Sequence, residues 1–265
     1  LETLSAQRIY QSPKGEQIID FGQAMAGNAR MHLKGSPGAV IKLDYFEEPD
    51  KDGNYRYVIT GNNSQMIDTV VLDAQGEGDY DPWFTYHGYR YIRLRADRGE
   101  VTPSRIVGRL IGSDVQVFTY IDTSNSKLNR LQKNIEWTLR SNLMSIFTDN
   151  PDRERSGWTG DLQMIAPTVC YNLDVEANFR RWMEDLKYDQ GENGEIPAVI
   201  PYFRNGNTSM NHSTPGWGDV AVMMPWHMYQ KYGDKKANQY FRDRYQLKYQ
   251  LLHSRRIVFP KDCGR

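Results

Sequence analysis

The chain has 265 residues, with 33 Lys and Arg against 33 Asp and Glu, so its formal net charge is zero and no overall basic field is available to draw nucleic acid or an anionic membrane. That length can bury one large core or two ordinary ones. Only Cys170 and Cys263 are present, which excludes a disulfide framework, and no apolar run reads as a signal or membrane segment, which leaves the compartment open.

Residues 9 to 121 predict β structure throughout. Gln17 to Gly22 and Ala29 to Gly35 are short segments parted by a Gly-containing turn. Val40 to Phe46 alternates polar with apolar residues, and Pro49 to Asn54 is a turn. Asp68 to Asp73, Gly88 to Arg95 and a last strand pair within Val101 to Tyr120 complete an antiparallel β-sandwich, the usual solution for many short strands divided by Gly, Pro and Asn turns. The aromatic knot Tyr80 to Tyr91 reads as a core plug with a ridge facing the next domain, or as a lectin-like surface. His32 and His87 have no partner at metal-ligand spacing and read as structural.

At Ile121 to Ser124 the period changes from two to three or four residues, placing the domain boundary between residues 121 and 122. Thr123 or Ser124 is the expected cap of a helix with the apolar stripe Leu128, Leu131, Ile135, Leu139 and Leu143. That helix leads into Phe147 to Asp161, a loop with four acids, two arginines, Pro, Trp and Gly residues, held between helical patterns. It is either a solvated turn or a site. Trp158 beside carboxylates is the combination of flat apolar face and acceptors that carbohydrate binding uses, and Asp161 stands where it can cap the next helix.

Two further stripes follow, Leu162, Ile165, Ala166, Val169, Leu173 and then Val175, Phe179, Trp182, Met183, Leu186, with Asn172 or Asp174 capping the second and Met164 and Met183 packing in the core. Cys170 reads as a buried thiol. Gly191 to Pro215 is a long loop, and Asn205, Asn207, Asn211 and His212 on it are candidates to line a subsite. Asn62, Asn207 and Asn211 begin glycosylation triplets whose use is not expected. Gly216-Trp217-Gly218-Asp219 ends the loop, with Asp219 readable equally as helix cap or ligand. The run Val220 to Tyr232 contains Pro225, which must kink it or mark an irregular turn, and stops at Gly233. Ala237 to Leu252 allows a fifth helix, and Ser254 to Arg265 carries no readable pattern.

These motifs resemble those of the inverting α-L-rhamnosidases, glycoside hydrolases with a β-sandwich before an (α/α)6 toroid. In that family an Asp opens the acidic loop, an Arg-Glu pair follows and Gly-Trp-Thr-Gly-Asp closes it; here these fall on Asp149, Arg153, Glu154 and Gly157 to Asp161. Also similar are Asp20 to Gln23, Phe84 to Tyr91, Gly216 to Asp219, Pro225-Trp226 and Tyr232 to Asp234. The family usually has Cys at Asn150 and Gln at Asp152, and often a lone Glu near Glu47 and Glu48.

The resemblance implies that Glu154 is the general acid, that Asp149, Arg153, Trp158, Asp161, Trp217 and Asp219 contact the sugar, and that Trp226 walls the pocket. It implies no metal or cofactor, a carbohydrate ending in rhamnose as the partner, and residues 1–121 and 122–265 as sandwich and toroid opening. Inversion needs a second carboxylate roughly 6.5 to 9.5 Å from the acid. In the family this base comes late in the toroid, so the 265 residues are expected to lack it and to leave bare an apolar helical edge through which the chain would form a homodimer. A non-catalytic carbohydrate-binding relative and a fragment keeping only the fold are the alternatives.

Overall fold

The computed structural model describes residues 2–56, 66–192, 194–202, 214–234 and 239. The chain forms two compact units, residues 1–114 with 121–155, and residues 115–120 with 156–265.

The first unit is an antiparallel sandwich of eight strands: β1 (Glu2–Ser5), β2 (Arg8–Gln11), β3 (Gln17–Lys34), β4 (Val40–Phe46), β5 (Ile67–Val71), β6 (Glu77–Tyr80), β7 (His87–Ala96) and β8 (Thr102–Leu110). Where the sequence predicts two segments and a turn, β3 runs unbroken for 18 residues and serves both layers. Its first half pairs with β2 and β7, its second with β6 and β8, and the register shifts between Asp20 and Met25. Gly22 takes a left-handed φ of 76° at that shift, and its amide donates to Asp20 Oδ1 at 2.7 Å. Gly22, the end of the first predicted segment, therefore forms a bulge that bends one strand, and the span from there to Ala29 continues the strand instead of turning. β1, β2 and β6 lie outside the predicted strands. Val101 to Tyr120 supplies one strand, not a pair, because residues 115–120 leave the sheet for the second unit.

Phe21, Met25, Met31, Leu33, Ile41, Leu43, Tyr45, Tyr89 and Ile92 fill the core. Burial of the acids on the other faces is compensated by arginines: Asp44, with a 1% exposed side chain, receives Arg93 at 2.8 Å and Arg95 at 2.6 Å. Burial opposes ionisation of Asp20, yet Arg90, the Gly22 amide and Arg8 outweigh it and hold the carboxyl below its ordinary range. The knot is a core plug at its ends, where Tyr45 and Tyr80 hydroxyls meet at 2.7 Å and His87 stacks on Tyr45 and reaches Asp68 at 2.9 Å. Its middle differs: Trp83 and Phe84 stand 81% and 103% exposed.

Helix α1 (Ser126–Ser141) belongs to this unit. Its cap is Asn125, whose side chain accepts from the Lys127 amide at 3.0 Å, while Thr123 bonds instead to Asn129. The predicted stripe is buried only at its end: Leu128 and Leu131 are 51% and 54% exposed, whereas Leu139 is 1% exposed. Leu143 lies beyond the helix in a small hairpin, β9 (Leu143–Met144) with β10 (Ile146–Phe147). The Ser141 hydroxyl accepts from the Ala26 amide on β3 at 3.2 Å, so the last turn of α1 is pinned just before the acidic loop.

The second unit contains α2 (Thr159–Asn172), α3 (Glu176–Asp189) and α4 (Val220–Tyr232), with α4 packed on both others. Leu162, Ala166, Val169, Phe179, Trp182, Met183 and Leu186 are buried as their spacing requires, together with Val220, Met224 and Met228 of α4. Met164 is 79% exposed and packs nothing inside, because it falls on the face of α2 opposite Ala166 and Val169. Burial pushes the Cys170 thiol up, in keeping with a buried, unreactive cysteine. The caps differ from expectation: α2 starts after Trp158 and α3 after Val175, neither with a side-chain cap, and Asp161 sits inside the first turn of α2. Pro225 lies within α4, which ends as predicted on left-handed Gly233. Among the described residues no helix is long and apolar enough to cross a membrane. Asn62, Asn205, Asn207, Asn211, His212, all of the predicted fifth helix but residue 239, and the 254–265 segment lie outside the described residues.

Candidate active site

The acidic loop is built from below by the sandwich. Gly88 on β7 is the floor: a Cβ there would stand 2.7 Å from Pro151 Cγ, 3.0 Å from the Asp152 amide nitrogen and 3.1 Å from Glu47 Oε1, so the loop turn rests directly on the strand backbone. Arg155 is the clamp. Its Nε donates to the Pro151 carbonyl at 3.0 Å and its guanidinium lies 4.5 Å from the Tyr86 ring centroid. Burial pushes the Tyr86 hydroxyl pKa up; Arg155 opposes that and Asp149 adds to it.

Between floor and clamp, Glu154 and Arg155 adopt φ values of 25° and 54°, two successive non-glycine residues in the left-handed region. Such residues cost about 1–3 kcal/mol each and persist where surrounding contacts over-determine them. Arg153 Nε lies 3.9 Å from Glu154 Oε1, with both side chains about half exposed, at 52% and 50%. The Asn150 amide bonds to Asp149 and its carbonyl accepts from the Arg153 amide at 3.0 Å, so Asn150 knits the two ends of the turn.

Glu47, at the end of β4, is the participant that its local sequence does not announce. Its surroundings desolvate the carboxyl and the Asp152 charge adds to this, raising its pKa against the opposing pull of Arg153, although the residue keeps an exposed surface. Pairing of β4 with β7 and packing of the loop on β7 create this neighbourhood, a long-range relationship that no local pattern encodes.

In the helical unit the other two motifs meet. The Gly191 to Pro201 loop carries buried Ile196, Val199 and Ile200 and wraps the start of α2. Thr159 donates from its amide and hydroxyl to the Ala198 carbonyl at 2.8 and 3.0 Å, Trp158 forms a β-bridge with Val199, and Ile200 donates to the Gly157 carbonyl at 2.9 Å. These bonds occupy amides and carbonyls that a free helix start would leave to solvent.

Gly160 then faces Trp217 so closely that a Cβ would stand 2.7 Å from the indole, and Gln163 donates to the Gly216 carbonyl. Asp219 turns back to accept from the Gly216 amide at 3.1 Å and makes no cap bond to α4, which disposes of the simple helix-cap reading. Trp217 remains 38% exposed and Trp226 42%, the latter tilted on Tyr229 at 5.9 Å between centroids. Asp161 is solvent-facing in the first turn of α2, where a carboxylate suits the helix dipole. Thus Asp149, Arg153 and Glu154 are gathered in the sandwich unit, and Trp158, Asp161, Trp217, Asp219 and Trp226 in the helical unit.

Residues 10–112 match the family described as the bacterial alpha-L-rhamnosidase concanavalin-like domain, and residues 116–254 the bacterial alpha-L-rhamnosidase 6 hairpin glycosidase domain. A curated alpha-L-rhamnosidase of Streptomyces avermitilis is 32% identical over 98% of this chain and 25% of its own length. The solved structure of that organism's alpha-L-rhamnosidase complexed with L-rhamnose superposes with a TM-score of 0.81 at 32% identity, over 96% of this chain and 24% of that one. The structure of alpha-L-rhamnosidase from Dictyoglumus thermophilum gives 0.83 at 28% identity, over 98% and 30%. The chain spans about a quarter of the length of the curated relatives it matches.

Proposed function

Because the chain belongs to the bacterial alpha-L-rhamnosidase family, we propose that it forms the sandwich and opening helices of a glycosidase that releases terminal α-L-rhamnose with inversion. In this reading residues 1–121 are the supporting sandwich and residues 122–265 the first part of the catalytic toroid. Glu154 protonates the departing oxygen. Asp149, Arg153, Trp158, Asp161, Trp217 and Asp219 are assigned as sugar contacts, and Trp226 as a wall residue. The observation that carries this reading is Glu154 itself, held at a φ of 25° in a loop whose floor and clamp come from the sandwich, because left-handed non-glycine residues cluster at functional sites.

An acid alone does not invert an acetal. The second carboxylate, roughly 6.5 to 9.5 Å away across the sugar, has to activate water. We assign that base to none of the described residues, and in this reading the 265-residue polypeptide binds the sugar and turns it over slowly or not at all. Association of two copies is assigned to exposed aromatic side chains of these helices, of which Tyr188 is 80% exposed.

The test has two parts. Titration of the 265-residue protein with L-rhamnose should show saturable binding that Trp217→Ala abolishes; preference for another sugar overturns the substrate. Release of L-rhamnose from an aryl α-L-rhamnoside by the native gene product should fall at least about 100-fold in Glu154→Gln. The first anomer seen by proton NMR should be β, and an initial α anomer excludes inversion.

A further inference from the structure

The face of β8, β3 and β6 turned away from the core carries a cleft of about 340 Å³ lined by Arg30, Met31, His32, Asp79, Asp81 and Arg105. None of these residues takes part in the site described above. Arg30 pairs with Val107 and His32 with Ser104, so Arg105 and Ile106 together face the single residue Met31. This is a β-bulge, and Arg105 occupies it with a left-handed φ of 49°. A long L side chain enters that region only at a cost, and bulges commonly serve to re-aim a side chain.

The acids of the cleft already have partners and its two outward arginines do not. Asp81 pairs with Arg109 at 2.6 Å, and Asp79 holds His32 Nδ1 at 2.8 Å. Arg109 is further engaged by Asn28 Oδ1 at 2.8 Å and the Pro82 carbonyl at 3.0 Å. Arg30 and Arg105 are exposed, and neither guanidinium has an ion pair or hydrogen bond among the described residues.

We propose that this cleft is a subsite for a uronic acid residue of the carbohydrate that ends in rhamnose, its carboxylate received by Arg30 and Arg105. That the ligand is a sugar rests on the function proposed above. Guanidinium groups match a planar carboxylate in a two-bonded geometry. The remaining oxygens of Asp79, whose side chain is 77% exposed, accept from sugar hydroxyls and repel a compact multiply charged anion. The volume lies at the lower end of ligand pockets, which run from about 300 to 1,000 Å³.

Calorimetric titration of the 265-residue protein with methyl β-D-glucuronide, methyl β-D-glucoside and sodium sulfate tests this. The glucuronide should saturate, with the glucoside and sulfate each at least about tenfold weaker, and Arg30→Ala should weaken the glucuronide by a similar factor. Arg105→Gly relieves the left-handed strain, so its thermal midpoint should equal or exceed that of the parent while glucuronide binding falls at least about tenfold. Glucoside or sulfate binding as tight as the glucuronide, no saturation by the glucuronide, or full binding by Arg105→Gly would overturn the proposal. Rhamnose binding and its loss in Trp217→Ala, measured on the same preparation, report on the glycosidase reading separately.

Discussion

Arg155 lays its guanidinium over the Tyr86 ring, 4.5 Å from the centroid, so the segment leading into β7 holds down the loop that carries Glu154. A cation–π contact of this partly buried kind contributes about 0.5–2 kcal/mol. Left-handed residues beside it store energy of the same order, about 1–3 kcal/mol each, so the clamp and the strain are comparable and releasing one should relax the other.

Tyr86→Leu and Arg155→Met should therefore each destabilise the protein by about 1 kcal/mol, and a double-mutant cycle should show that they share most of that loss. Denaturant midpoints of the four proteins decide the matter. Additive losses would mean that the ring and the guanidinium act independently and that the clamp is not real.

Gly88→Ala addresses the floor of the same loop. The new methyl would lie 2.7 Å from Pro151 Cγ and 3.0 Å from the Asp152 nitrogen, and a proline ring and a backbone atom cannot swing aside as a flexible side chain does. Overpacking of this kind costs about 1–3 kcal/mol. Stability should fall by that amount, and the rhamnoside hydrolysis proposed for Glu154 should fall with it in the native gene product. An unchanged denaturant midpoint would show that the loop has room to lift.

Glu47 supplies a pH dependence. Desolvation and the Asp152 charge raise its pKa above the ordinary value of 4.5, with Arg153 opposing, so the folded protein keeps this proton to higher pH than the unfolded chain does. Its contribution to stability is fully present below the unfolded pKa and is lost as pH rises through the folded one. Glu47→Gln fixes the uncharged form. The variant should match the parent near about pH 4 and exceed it in stability by about pH 7. A constant difference between the two proteins across that range would sink the assignment.

Much of this architecture was legible in the sequence, and the failures share a cause. The alternation of β4 and β7 and the apolar stripes of α2 and α3 are local periodicities, and they appear where the spacing puts them. The span between Gly22 and Ala29 reads as a turn because a glycine between short apolar segments ordinarily marks one. Only the simultaneous pairing of β3 with four partners makes Gly22 a bulge. Leu128 and Leu131 form a stripe that this chain leaves exposed, since periodicity records which face is apolar and not what covers it. At the site, the motifs identify Glu154, Trp217 and Asp219 as candidates, but Glu47 and Tyr86 are brought to the acidic loop by contacts between distant stretches of chain.

Gly160→Ala sets two effects of known sign against each other. An alanine in the second position of α2 gains about 0.5–1 kcal/mol over glycine from helix propensity. Against that, its methyl would stand 2.7 to 2.9 Å from three indole atoms of Trp217. Trp217 follows Gly216, whose carbonyl accepts from Gln163 and whose amide donates to Asp219 at 3.1 Å, so the ring cannot withdraw without disturbing the Asp219 carboxylate as well. Overpacking at about 1–3 kcal/mol outweighs the propensity gain. The variant should be less stable by about 1 kcal/mol and should bind L-rhamnose at least about tenfold more weakly, because it moves the proposed stacking face and the proposed hydrogen-bonding acid together. Gly160→Ser should behave alike, since the added Cβ is the same. A Gly160→Ala protein that gains stability and still binds the sugar would show that Trp217 yields freely, and would remove it from the site.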